Sequence, residues 1–345
     1  MPMARAQRLC PAALVVPVPR RLCSEKSRAI RSVLERFAPV VEPASIDEAY
    51  LDLTGTERLY RGEPLAETAR RIGAAVLAET QIQVSIGGGT NRLVAKLAVA
   101  RAKPAGVHII EPGGEAAFLL EHDIGDIPGV GPVLAAELLK FDLKTVGDGV
   151  ALSRTQLDGL LGERRGAWLY DRMRGIDDAP LGERGAARSM SRDETFARDL
   201  HEDHELGREL RVLVCRLGAD LRAAGVRART ITVRLRDYDF RTRQASRTLR
   251  AAVETDRGIH AAARPLLARL RAQRRVGARL IGVAASNLVP RGDGQPGLFD
   301  AADTTVADAT AETERDRALA ELSDRLRARF GAGAIVPGDL LGGER

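Results

Sequence analysis

A chain of 345 residues with 44% hydrophobic and 29% charged side chains can bury the cores of roughly two to four compact units, and that composition excludes wholesale disorder. No apolar run approaches the roughly 20 residues of a membrane helix, and the prolines and arginines of residues 1–20 exclude a secretory signal, so a cytoplasmic protein without membrane contact is expected. A net charge of +6 points weakly to a polyanionic partner such as nucleic acid. In chain order, Ile30, Val33, Leu34 and Phe37 recur at helical spacing and predict a helix over 25–37, ended by a break from Pro39 to Pro43. Ile46 to Leu53 is short, apolar and closed by Thr54-Gly55, which predicts a buried strand. A helix over 65–77 and a strand over 84–86 follow. Thr90 or Asn91 can cap a helix through Leu93, Val94, Leu97 and Ala98 that Pro104 ends. The alternation predicts a layered α/β unit over 1–112.

Residues 113–176 are helical in short pieces, broken by Gly129, Gly131, Gly147 and Gly162, and residues 177–188 read as a linker. The next unit, 189–290, holds two helical stripes, Leu206 to Leu221 and Ile259 to Leu270, around a hairpin. In that hairpin Ile231, Val233 and Leu235 alternate with Thr232, Arg234 and Arg236. After a turn near Asp237 to Asp239, Arg241, Arg243, Arg247 and Arg250 return, so one face is apolar and the other carries arginine. A strand over 280–285 completes an α+β fold, a sheet backed by two helices. Residues 291–345 are expected to be a flexible tail with a last helix over 318–330. The fold class is multidomain, α/β followed by α+β.

Four constellations carry chemistry. In Ser45-Ile46-Asp47-Glu48-Ala49-Tyr50-Leu51-Asp52, adjacent carboxylates open an otherwise apolar strand. Oxygen ligands of this kind suit magnesium, whereas the alternative is a solvent-facing turn cap. Neighbours on a regular strand face opposite ways, so both can serve one metal only where the strand begins at a turn. The second is Ile127-Pro128-Gly129-Val130-Gly131-Pro132, a helix-hairpin-helix pattern in which Gly129, Val130 and Gly131 bring backbone N–H groups to a DNA phosphate. The third is the arginine face, with Arg234, Arg236, Arg241 and Arg243 assigned to DNA; a solvated sheet face is the alternative. The fourth is Gln295-Pro296-Gly297-Leu298-Phe299, an apolar docking peptide in the tail. Cys10, Cys23 and Cys215 are scattered, without zinc-ligand spacing. Five of the 53 basic residues are lysine, so each lysine is informative.

The Ser45 to Asp52 run resembles the second acidic motif of Y-family DNA polymerases of the DinB-like type. The likeness continues through Ser85-Ile86-Gly87, Leu93-Val94-Ala95-Lys96-Leu97-Ala98 and Lys103-Pro104-Ala105-Gly106 into the helical unit. It implies a palm with remnant fingers over 1–112, a thumb over 113–176, a little finger over 189–290, and translesion DNA synthesis on primer-template DNA by a monomer. It further implies that Asp47 and Glu48 are catalytic and bind two Mg2+ ions, and that Lys103 contacts the triphosphate of the incoming deoxynucleotide; Lys96 is left structural or peripheral to DNA. Gln295, Leu298 and Phe299 are similar to a sliding-clamp-binding motif. The family pattern starts with a strand bearing another metal-binding aspartate. The resemblance begins partway through the fingers, so a truncated polymerase is expected, its own activity left open, with a non-catalytic DNA- and clamp-binding protein as the alternative and a metal nuclease as a third, weaker one.

Overall fold

The computed structural model describes residues 1, 3–182, 185–291, 310–331 and 333–340. It forms two units, Met1–Arg184 and Gly185–Arg345. In the first, α1 (Met3–Leu9) buries none of its side chains. The amphipathic α2 (Arg20–Leu34) sets Val33 and Leu34 against Ile72 and Val76 of α3 (Leu65–Thr80). Between these helices β1 (Val40–Pro43) and β2 (Ala49–Asp52) form an antiparallel hairpin. The expected break between Pro39 and Pro43 is thus a strand, with its prolines at or just outside the ends, where a missing N–H costs little pairing. The single strand expected over 46–53 is shorter because residues 44–48 make the turn. Ala44 and Ser45 both donate backbone N–H groups to the Glu48 carbonyl, at 2.8 and 3.1 Å.

Strand β3 (Ile86–Gly88) pairs in parallel with β4 (Val107–Ile109), and α4 (Arg92–Ala102) makes the crossover, capped by the Asn91 side chain at the Val94 N–H. Helix and strand touch backbone to backbone. A Cβ on Gly87 would lie 2.2 Å from Val99 N and 2.4 Å from Ala95 O, so only glycine permits this approach. Leu93, Val94, Leu97 and Ala98 turn the other side of α4 into a core shared with α5 (Glu115–Leu119), α6 (Pro132–Leu139), α7 (Val146–Val150), α8 (Arg154–Leu161) and α9 (Glu163–Met173). The helical segment predicted from residue 113 therefore has no core separate from α4, which carries apolar side chains on two faces.

The second unit comprises β5 (Ser189–Leu200), α10 (Asp203–Ala223), β6 (Val226–Asp237), β7 (Thr242–Val253), α11 (Asp256–Gln273), β8 (Ala278–Pro290) and α12 (Glu314–Phe330). The sheet order is β5-β8-β6-β7, every pair antiparallel. Helices α10 and α11 bury their leucine stripes against Ile231, Val233, Leu235, Ile281 and Val283, as the alternation predicts. Strand β5 escaped the sequence reading because it is an edge strand, charged on both faces, whose apolar residues Met190, Phe196 and Leu200 do not alternate over its length.

Helix α12, read in the sequence as part of a tail, is tied to this unit by charge rather than by apolar packing. Arg222, buried on α10, donates to both Asp324 carboxylate oxygens at 2.6 and 2.9 Å. Glu312 accepts the N–H groups of Glu254 and Thr255 at 2.9 and 2.7 Å, and Arg291 reaches Glu321 at 2.6 Å. Its apolar residues Leu319, Leu322 and Phe330 recur at helical spacing but stay exposed, so the sequence pattern announces a helix without showing the face by which it docks. Among the described residues no helix is long and apolar enough to cross a membrane.

Candidate active site

Asp47 and Glu48 both lie in the turn ahead of β2, not within it, and both are exposed. That placement frees them from the alternation of a strand, so two adjacent carboxylates can serve one site. The Ser45 hydroxyl donates to Asp47 Oδ1 and accepts the Asp47 backbone N–H at 3.3 Å. The hydroxyl foremost, then that backbone N–H, and more weakly the charges of Lys96 and Lys103, hold the Asp47 carboxyl below its ordinary value of 3.8.

Helix α4 supplies both ammonium groups. Lys96 Nζ forms an ion pair with Glu48 Oε1, and Lys103 caps the C-terminal end of the same helix, exposed. Lys96 thus belongs to the carboxylate site rather than to the periphery. Sequence spacing could not show this, because the contact joins residues 48 positions apart; the scarcity of lysine was the only signal. At the first turn of α4, Arg92 stacks over the Tyr50 ring, 4.7 Å from its centre, and stands 3.6 Å from Glu42 on β1. Both strands of the hairpin that carries the carboxylates are thereby tied to α4. Two solvent-accessible carboxylates with only oxygen donors fit magnesium, which keeps waters and phosphate oxygens among its ligands. Among the described residues no group of three or more His, Cys, Asp or Glu side chains gathers as a metal cluster.

The Gly129 to Gly131 turn precedes α6. Gly129 has φ +103°, and a Cβ there would meet the Trp168 ring at 2.7 Å. The Val130 side chain is buried in the helical core and its N–H is donated to the Ile127 carbonyl at 2.9 Å, so of the three residues assigned to DNA Val130 has no free donor, and the turn can offer a phosphate only glycine backbone. Gly131 is the N-cap of α6 and makes no side-chain bond, and Pro132 at the first position has no N–H, which leaves those of Val133 and Leu134 available to an anion.

The four arginines assigned to DNA divide. On the face of the sheet away from α10 and α11, Arg234 and Arg236 stand among small hydroxyl residues. Thr230 bonds Thr248 at 3.0 Å and Thr232 bonds Ser246 at 2.8 Å across β6 and β7. Arg241 is exposed in the β6–β7 turn. Arg243, directly opposite the buried Leu235, points to the helix side. There it grips the buried Asp237 at 2.8 Å and donates to the Leu270 carbonyl. It does not join the arginine face, because strand register assigns it to the other one. Gln295, Leu298 and Phe299 lie outside the described residues.

Residues 1–100 match the impB/mucB/samB family, 187–298 the C-terminal domain of that family, and 125–177 the thumb domain of DNA polymerase-iota. DNA polymerase IV of Caulobacter vibrioides is 35% identical over 344 residues, which covers 99% of this chain and 82% of that protein. The chain belongs to the DNA polymerase IV family. DNA polymerase IV of Desulfatibacillum aliphaticivorans is 33% identical over 343 residues, 99% of this chain and 83% of that one. A Y-family DNA polymerase chimera of Dbh and Dpo4 superposes with a TM-score of 0.73 at 26% identity, covering 84% of this chain and 83% of the other. An insertion ternary complex of Dbh DNA polymerase gives 0.55 at 25% identity, with the same coverages. DNA polymerase IV is a DNA-directed DNA polymerase of the translesion Y family, with thumb and little-finger domains, and membership of that family implies a divalent metal. The second unit holds the little finger.

Proposed function

We propose that this chain extends primers past damaged template bases by magnesium-dependent nucleotidyl transfer. The observation that carries the reading is the single turn that presents Asp47 and Glu48 to the two lysines of α4. Asp47 and Glu48 are the residues that would hold the Mg2+ ions, two in an intact site, by their carboxylate oxygens. Magnesium, when bound, offsets the charge that develops on the transferring phosphates. The Ser45 hydroxyl orients the Asp47 carboxylate and favours its ionised form. Lys103, exposed at the end of α4, attracts the triphosphate, and Lys96 balances Glu48.

The thumb turn at Gly129 to Gly131 holds the primer-template backbone through its N–H groups, and Arg234, Arg236 and Arg241 add sequence-independent phosphate contacts. Primer extension by the 345-residue chain tests the whole reading. Asp47→Asn abolishes extension and leaves primer-template affinity unchanged; extension unaffected by that substitution removes Asp47 from the site. A chain that binds primer-template and incorporates nothing at any magnesium concentration is instead the non-catalytic DNA- and clamp-binding protein.

Gln295, Leu298 and Phe299 are the proposed dock for a sliding clamp. Their support is the Gln-Pro-Gly-Leu-Phe pattern at the C-terminal end of the matched little-finger region, which runs to residue 298. Replacing Leu298 and Phe299 with alanine weakens clamp binding, and an unchanged affinity eliminates this partner.

A further inference from the structure

Aromatic residues make up 3% of the chain, yet two of them, Tyr238 and Phe240, occupy the β6–β7 turn with 52% and 64% of their surface exposed. Phe240 has φ +64°. In hairpin loops of this size the left-handed position favours glycine or asparagine, because a bulky side chain is strained there. Turn geometry does not ask for phenylalanine at this position, and neither does packing, since the ring is mostly in solvent. Strain of this kind persists only where surrounding bonds enforce it.

Those bonds are present. Asp237, buried at the base of the turn, holds Arg243 and Arg274, each at 2.8 Å. Arg274 also holds Asp239 at 2.9 Å, and the Tyr238 N–H donates to the Gly277 carbonyl at 2.9 Å. The rings therefore stand on a fixed support, and arginines line it. The Arg279 guanidinium carbon lies 4.7 Å from the Phe240 ring centre and that of Arg274 lies 5.9 Å from the Tyr238 centre. Arg241 is exposed in the same turn.

We propose that this tip is a stacking platform for unpaired nucleobases of single-stranded DNA, with Arg241 on the adjacent phosphate. Exposed aromatic faces flanked by guanidinium groups suit bases that are free of a duplex. A duplex flank offers sugar and phosphate, which engage arginine but have no use for a ring. The inference rests on the DNA-binding reading of the little finger and adds a ligand class to it.

The experiment compares a blunt duplex with the same duplex bearing a thymine-rich single-stranded overhang that carries one 2-aminopurine. Binding is followed by anisotropy, and stacking by quenching of the 2-aminopurine. The wild-type chain is expected to bind the overhang substrate about tenfold more tightly than the blunt one and to quench the probe. The variant Tyr238→Ala with Phe240→Ala loses both gains and keeps blunt-duplex affinity, which also shows that it is folded. Equal wild-type affinity for both substrates, or quenching that survives the substitutions, overturns the platform while the duplex reading stands. Failure to bind either substrate overturns the DNA reading itself. Self-association of the wild-type chain that the substitutions abolish, without overhang preference, would assign the tip to a second copy of the chain and also overturn the proposal.

Discussion

Arg234 Nη1 stands 3.4 Å from Asp193 Oδ1, although the two residues lie on strands that are not neighbours. β8 runs between them, and its residue in register with both is Gly282. The missing side chain leaves the gap across which carboxylate and guanidinium meet. Asp193 thereby competes for a charge that the open face of the sheet would otherwise present to DNA. Asp193→Asn is expected to tighten duplex binding about two- to fivefold. Arg234→Ala should lower the slope of log affinity against log salt by about one. Anisotropy titrations at several salt concentrations read both.

Two glycines make close approaches of different kinds, and their alanine variants should differ accordingly. A Cβ on Gly282 would meet Asp193 Oδ1 at 1.8 Å, the end of a side chain that can rotate away. Gly282→Ala should therefore cost about 1 kcal/mol or less, the worth of an exposed ion pair. A Cβ on Gly87 meets only α4 backbone, at 2.2, 2.4 and 2.7 Å, and no rotation relieves it. Gly87→Ala should cost about 3 kcal/mol and displace the helix that carries Lys96 and Lys103. Denaturant melts give the two costs, and equal values would refute the distinction.

Arg222 joins α10 to α12. Its side chain is 3% exposed and faces Asp324 at 2.6 Å and Asp256 at 3.0 Å, with the Glu254 carbonyl accepting at 2.7 Å. Removing one partner of a buried charge network leaves the others uncompensated. Arg222→Ala should destabilise the protein by about 3–5 kcal/mol. Thermal unfolding with circular dichroism measures it, and a loss below about 1 kcal/mol would mean that α12 is held elsewhere.

Asp316 caps α12. The Thr313 backbone N–H foremost, then the Thr313 hydroxyl and the Arg257 guanidinium, lower its carboxyl from 3.8 to about 2. Because the folded value is depressed, its stabilising contribution is present in full above pH 3.8 and is lost as pH falls toward 2. Between about pH 4 and pH 2 the melting temperature of Asp316→Asn should fall less than that of the wild type. Parallel curves over that window would remove the contribution.

The local sequence was enough to determine whatever depends on neighbours within a few positions. The leucine stripes of α10 and α11, the alternation through Ile231, Val233 and Leu235, and the glycine turn ahead of α6 all follow from fixed periods and turn chemistry. The two adjacent carboxylates of the Ser45 to Asp52 run are likewise legible in the letters alone. Tertiary structure decided what depends on which distant segments meet. It placed Asp47 and Glu48 in a turn rather than on a strand and brought Lys96 across 48 positions to Glu48. Strand register sent Arg243 inward to Asp237, and ion pairs rather than the exposed apolar residues of α12 fixed that helix to the little finger. The physical reason is range. Periodicity reports which face of an element is apolar, whereas a salt bridge or a strand register is set by atoms that become neighbours only after the chain has packed.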